Sequence, residues 1–72
     1  MYKLGIDVGG TNTDAVIIDE NLNVISYVKE HTTEDIYGGI INSIRAVLEK
    51  SGIDRSEIKQ AMLVTTQCTN AI

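Results

Sequence analysis

Proline, phenylalanine and tryptophan are absent from the 72 residues, cysteine and histidine occur once each, and only three tyrosines carry an aromatic phenyl ring. A lone cysteine cannot close an internal disulfide, and Cys68 with His31 cannot fill the four ligand positions of a structural zinc site. Six Lys and Arg stand against ten Asp and Glu, a formal net charge of -4, and the cations are nowhere grouped. Phosphate backbones are held by grouped cations, so the balance argues against nucleic acid as a partner. The scarcity of aromatic rings leaves little to stack on bases. No apolar run approaches the ~20 residues of a membrane span. The opening MYKLGID runs straight into alternating structure, so no signal peptide is predicted. With no Asn-x-Ser/Thr acceptor either, the expected setting is soluble and cytoplasmic, with no membrane partner.

What is present is a chain with 43% apolar residues, enough for one domain at most. Chains near this size bury only about 60% of the surface that their unfolded form exposes. Help is therefore expected from the remainder of its own chain or from a second subunit, which includes a homo-oligomer.

Tyr2, Leu4, Ile6 and Val8 alternate with Lys3, Gly5 and Asp7, the period-two pattern of a strand. Residues 13–19 (TDAVIID) are apolar or β-branched on both parities, which suits a strand covered on both faces. Asp19, Glu20, Asn21 and Asn23 supply turn chemistry, with Asn21 the expected positive-φ position. A third strand over 23–29 completes an antiparallel meander. Thr32 or Thr33 is the expected N-cap of a helix over 33–50, with Ile36, Ile40, Ile44 and Val47 turned inward and Gly52 ending it. Gly38 and Gly39 inside that helix are read as close approach to the sheet, with backbone proximity to a ligand as the other reading. Asp54 to Lys59 reads as a helical turn or loop, and 61–66 as a buried strand parallel to the first. The fold class is α/β, in the order β-β-β-α-β with a mixed sheet. A strand buried on both faces needs helices on both sides, so residues 1–72 are expected to be the first part of a longer domain.

The informative stretch is Asp7-Val8-Gly9-Gly10-Thr11-Asn12-Thr13-Asp14, at the hairpin between the first two strands. Adjacent glycines leave the backbone bare, so consecutive N-H groups can turn toward an anion. Thr11, Asn12 and Thr13 add hydroxyl and amide donors. Asp7 beside them could hold Mg²⁺, which keeps much of its water and binds through one or two carboxylates plus phosphates. An ordinary Gly-Gly hairpin with polar residues explains the same composition. Rival motifs fail residue by residue. There is no G-x-G-x-x-G and no Gly-Lys-Ser/Thr, and an EF-hand starting at Asp7 would need glycine and glutamate where Asn12 and Ile18 stand. An Asp-x-Asp pair fails at Gly9. A second polar cluster, Thr65, Thr66, Thr69 and Asn70, reads equally as part of the same cleft or as a helix start. Cys68 reads as a small buried apolar residue and His31 as a structural or solvated one.

MYKLGIDVGGTNTDAVIID resembles the first phosphate-binding loop of the actin, heat-shock chaperone and sugar-kinase superfamily. Asp14 after GGTNT, with the later TTQCTNAI, resembles the N-terminal region of the hydantoinase/oxoprolinase family. The family often has an aromatic residue where Asn12 stands and Ala where Cys68 stands. The resemblance implies a ribonuclease H-like, actin-like ATPase fold, of which this chain is a partial domain. It also implies ATP and Mg²⁺ as cofactors and a small cyclic amide such as a hydantoin or 5-oxoproline as substrate. Asp7 would be the catalytic metal ligand, with Gly9, Gly10, Thr11, Asn12 and Thr13 holding the phosphates. An amide carbonyl is a poor electrophile, and phosphorylating its oxygen would let water attack. Two alternatives in the same superfamily are a sugar- or acetate-type kinase and a nucleotide-gated binding protein.

Overall fold

The computed structural model describes residues 1–65. Strands β1 (Tyr2–Val8), β2 (Asn12–Ile18) and β3 (Val24–His31) precede helix α1 (Ile36–Ser51), a 3-10 turn (Arg55–Glu57) and strand β4 (Ile58–Thr65). The sheet order is β3-β2-β1-β4, antiparallel from β3 to β1 and parallel between β1 and β4. The mixed α/β sheet and the β-β-β-α-β order are as the sequence pattern predicts. The second polar cluster beyond Thr65, with its two readings as cleft or helix start, and Cys68 lie outside the described residues.

Alternation along β1 and β2 sorts the side chains by face. Leu4, Ile6, Val8, Ala15 and Ile17 are buried beneath α1 around Val47, and Ile40, Ile44 and Leu48 pack against them. The helix presents its stripe mainly to β3 and β2, and to β1 less. Ser43 lies fully buried in that stripe, and among the described residues its hydroxyl and that of Ser26 have no hydrogen-bond partner. Lys50 near the end of α1 donates to the Tyr27 carbonyl at 2.9 Å, tying the helix to β3. No helix of the described residues is long and apolar enough to cross a membrane.

Several local expectations are corrected. The positive φ falls at Leu22 (66°), not Asn21. Asp19 explains the shift: its carboxylate accepts from the amides of Asn21 at 2.8 Å and Asn23 at 2.9 Å, leaving the reversal to the exposed residue between them. These bonds, the Asn23 amide foremost, hold the Asp19 carboxyl below its ordinary range. The N-cap of α1 is Asp35, not Thr32 or Thr33. Thr32 spends its hydroxyl on the Gly9 carbonyl and Thr33 donates to the Asp35 carbonyl, so the Asp35 carboxylate takes the Gly38 amide at 3.1 Å. The helix therefore starts at Ile36, which stays exposed rather than turning inward. Its end is as expected, with Gly52 left-handed at φ 74°.

Strand β4 begins at Ile58, three residues before the expected 61, because the 3-10 turn is short. It is also not buried. Met62 is 58% and Leu63 55% exposed, since β4 forms the sheet edge beyond the helix.

The two helical glycines do not serve an approach to the sheet. A Cβ on Gly38 would run into the Asp35 carboxylate, whereas one on Gly39 would meet only the Thr33 hydroxyl at 3.3 Å. Gly39→Ala is therefore expected to gain most of the ~1 kcal/mol that alanine offers a helix. Gly38→Ala should lose a comparable amount from the displaced cap. Denaturant unfolding of the two variants checks this, and equal midpoints would contradict it.

Candidate functional site

The hairpin between β1 and β2 turns through Gly10 and Thr11. The Gly9 amide donates to the Asn12 carbonyl at 2.9 Å and closes the turn. Among the described residues the amides of Gly10 and Thr11 donate to no acceptor, and both residues are exposed. A Cβ on Gly10 would meet nothing within 4 Å, so this glycine keeps one side of the turn open rather than relieving a clash. Two adjacent N-H groups without an acceptor at an exposed turn are available to an anion.

The turn is held from the β3 side. Thr32 donates its hydroxyl to the Gly9 carbonyl at 2.7 Å and its amide to the Thr11 carbonyl at 2.9 Å. Thr13 Oγ1 lies 3.0 Å from Thr32 Oγ1. A hydroxyl has one proton, and that of Thr32 is committed to Gly9, so Thr13 is the donor. Thr13 is buried beside the core with its hydroxyl engaged there, while Thr11 and Asn12 stand at the more open tip.

Asp7 sits one residue before the end of β1, on the sheet face away from α1. Its cross-strand partner is Asp14. Directly paired strand residues have Cβ atoms about 4.5–5.5 Å apart, and like charges there repel. Neither carboxylate forms a salt bridge with a cation among the described residues. Tyr27 on β3 donates to Asp14 Oδ1 at 2.6 Å, so one carboxylate is anchored while Asp7 stays exposed. Two adjacent acceptor-only oxygen ligands suit a hard divalent cation, and the donor set fits Mg²⁺ with phosphate completing its shell. Gly5, Val16, Met62 and Val64 line the depression beside these groups. The depression lies on the sheet face away from α1, over the carboxyl-terminal halves of the parallel strands β1 and β4.

The structure thus brings Asp7, Gly9, Gly10, Thr11 and Asn12 to one end of the sheet, with Thr13 beneath them. Sequence reasoning missed three supporting residues. The Asp7–Asp14 pairing follows from the register of a turn at Gly10-Thr11, and that signal was present. Tyr27 depends on a second hairpin whose register shifts between Ile17 and Ile18. Thr32 looked like a helix cap, a use equally open to its hydroxyl. Thr65 ends β4, and the remainder of its cluster is outside the described residues.

Comparison with known proteins agrees with the architecture. The family described as the hydantoinase/oxoprolinase N-terminal region matches residues 3–72. Glycerol kinase 1 of Thermotoga maritima is 32% identical over 93% of this chain and 16% of its own length. The activator of 2-hydroxyisocaproyl-CoA dehydratase from Clostridium difficile, solved with bound ADPNP, superposes with a TM-score of 0.80 at 21% identity. It spans 97% of this chain and 26% of its own. A ROK family glucokinase from Streptomyces griseus, solved with glucose and AMPPNP, gives 0.65 at 25% identity, over 90% of this chain and 20% of its own. The chain therefore spans about a sixth to a quarter of these proteins, and the fold is that of actin-like ATPases and sugar kinases.

The hydrogen bond to Asp14, foremost, and then desolvation and the Asp14 charge hold the Tyr27 phenol above its ordinary value of 10.0. A raised pKa means that this contact stabilises the fold fully below pH 10 and is lost as pH climbs through the folded value. In a spectrophotometric titration Tyr27 should ionise above the ordinary phenol value, and Asp14→Asn should lower its midpoint. Unchanged ionisation in that variant would contradict the contact.

Proposed function

The chain belongs to the hydantoinase/oxoprolinase N-terminal family, and from that premise we propose that the intact protein opens a small cyclic amide, such as a hydantoin or 5-oxoproline, at the expense of ATP. In this reading residues 1–72 are the first part of an actin-like ATPase domain working in the cytoplasm. The rest of the chain or a second subunit supplies the adenosine and substrate pockets. The observation that carries the reading is the turn with free Gly10 and Thr11 amides beside the Asp7–Asp14 pair. Relatives solved with ADPNP and AMPPNP support ATP as the nucleotide.

Each residue then has a definite task. Asp7 holds Mg²⁺ with Asp14 alongside, Gly9 closes the turn, and Gly10 and Thr11 offer N-H donors to the phosphates. Thr11 and Asn12 add side-chain donors, and Thr13 supports the turn from beneath. These groups position and neutralise charge, which is most of what phosphoryl transfer asks of a protein. When bound, ATP would supply the phosphoryl group that turns an amide oxygen into a leaving group.

Asp7→Asn keeps the shape and removes the charge, so ATP turnover should fall on the order of a hundredfold while the fold persists. Unchanged turnover would remove Asp7 from the metal site.

The acceptor is decided by following oxygen. If the amide oxygen is phosphorylated and water then attacks its carbon, the ring C-N bond breaks to leave an acyl phosphate, and a second water attacking the same carbon displaces phosphate with the original oxygen. A substrate labelled with heavy oxygen at the scissile carbonyl should place one labelled atom in each inorganic phosphate. The likeness to glycerol kinase favours a second reading, transfer to a sugar or polyol hydroxyl, which would leave a stable phosphoester. Phosphate whose new oxygen comes only from water would mark a nucleotide-gated binding protein.

A further inference from the structure

We propose that Thr32 is a positioning residue for the phosphate turn, aiming the Gly10 amide by holding the Gly9 carbonyl of the same peptide and anchoring the far side of the turn at the Thr11 carbonyl. The inference rests on the nucleotide-binding reading of that turn. Thr32 grips the turn at two points, its hydroxyl on the Gly9 carbonyl and its amide on the Thr11 carbonyl. A trans peptide is planar, so its C=O and the following N-H point in opposite directions. No cis peptide occurs among the described residues. Drawing the Gly9 and Thr11 carbonyls toward β3 therefore turns the N-H groups of Gly10 and Asn12 away from it.

A glycine-containing turn would otherwise sample both peptide orientations at little steric cost. In the flipped orientation the Gly9 carbonyl, an acceptor, would meet the anion. Thr32 holds the orientation in which the anion meets a donor. Thr13 completes the device by donating to the Thr32 hydroxyl, which leaves that hydroxyl's own proton directed at Gly9. Thr32 is half-buried and stands between β3 and α1, outside the turn that it controls.

The test uses the intact protein with Thr32→Val, which keeps the β-branched shape and the backbone amide but removes the hydroxyl, and Thr32→Ser, which restores the hydroxyl. Calorimetry with Mg-AMPPNP and, separately, with adenosine separates aiming of the turn from general damage. Thr32→Val should weaken AMPPNP roughly tenfold or more while leaving adenosine unchanged, and Thr32→Ser should recover most of the loss. In ¹⁵N spectra the Gly10 amide should shift between wild type and Thr32→Val before any nucleotide is added. If Thr32→Val fails to fold, Thr13→Val provides the measurement, with a smaller loss of AMPPNP affinity expected and none for adenosine. Equal loss of both ligands, equal loss in the Val and Ser variants, or wild-type AMPPNP affinity in folded Thr32→Val (or in Thr13→Val where that variant is used) would overturn the proposal. Asp7→Asn separates the two levels. If it too leaves AMPPNP affinity and turnover untouched, the nucleotide reading has failed; if it alone impairs them, only the role of Thr32 has.

Discussion

Strand β1 imposes the constraint on which the other elements depend. Its odd and even residues must serve different faces, with Leu4, Ile6 and Val8 in the core and Gly5 and Asp7 on the opposite side. It is also the strand that carries both kinds of pairing, antiparallel to β2 and parallel to β4. A slip of one residue would put Asp7 under α1 and Val8 in the depression, an exchange that burial of an unpaired carboxylate forbids. The same alternation that builds the core therefore fixes where the carboxylate emerges. Gly5 adds to this, since a Cβ there would approach Val16 at 3.4 Å and narrow the floor beside Asp7.

Chemistry and packing meet again at the turn. The Gly9 and Thr11 carbonyls are occupied because β3 ends level with the hairpin, and the Gly10 amide, opposite the Gly9 carbonyl in one peptide, is turned away from β3. Asn12 pairs with His31, which brings Thr32 level with Thr11. Helix α1 can begin just beyond because Asp35, and not either threonine, supplies its cap. The linker from Thr32 to Asp35 thus serves two structures with different hydroxyls and carboxylates, and no group is asked to do both.

The strands were legible because strict alternation leaves few other readings, and the helix because its isoleucines recur at helical spacing. Boundaries were less so, for reasons that lie in competition among neighbours. Three nearby residues, Thr32, Thr33 and Asp35, can all cap a helix, and the claims of the Gly9 carbonyl on Thr32 and of the Asp35 carbonyl on Thr33 decide among them. Asn21 has the chemistry for a left-handed backbone, yet the grip of Asp19 on both flanking amides moves that conformation to Leu22. The exposure of β4 was hidden for another reason: an apolar run shows that a strand is suited to burial, not which element covers it. Of the site, the loop residues were visible as a motif, whereas Tyr27 and Thr32 are separated from it by a bulged hairpin that periodicity does not resolve.

The connectivity also sets an order of assembly. The phosphate turn is made by residues adjacent in sequence, and its brace comes from the next strand, so its loops are short and cost little entropy to close. Pairing β1 with β4 joins residues more than fifty positions apart, as Leu4 with Ala61 shows, and must wait for α1 to lie across the sheet. Sequence separation therefore favours early closure of the meander and late addition of β4. An amide probe at Gly10 would report structure before one on β4, so that the anion-binding geometry is in place before the mixed sheet is complete.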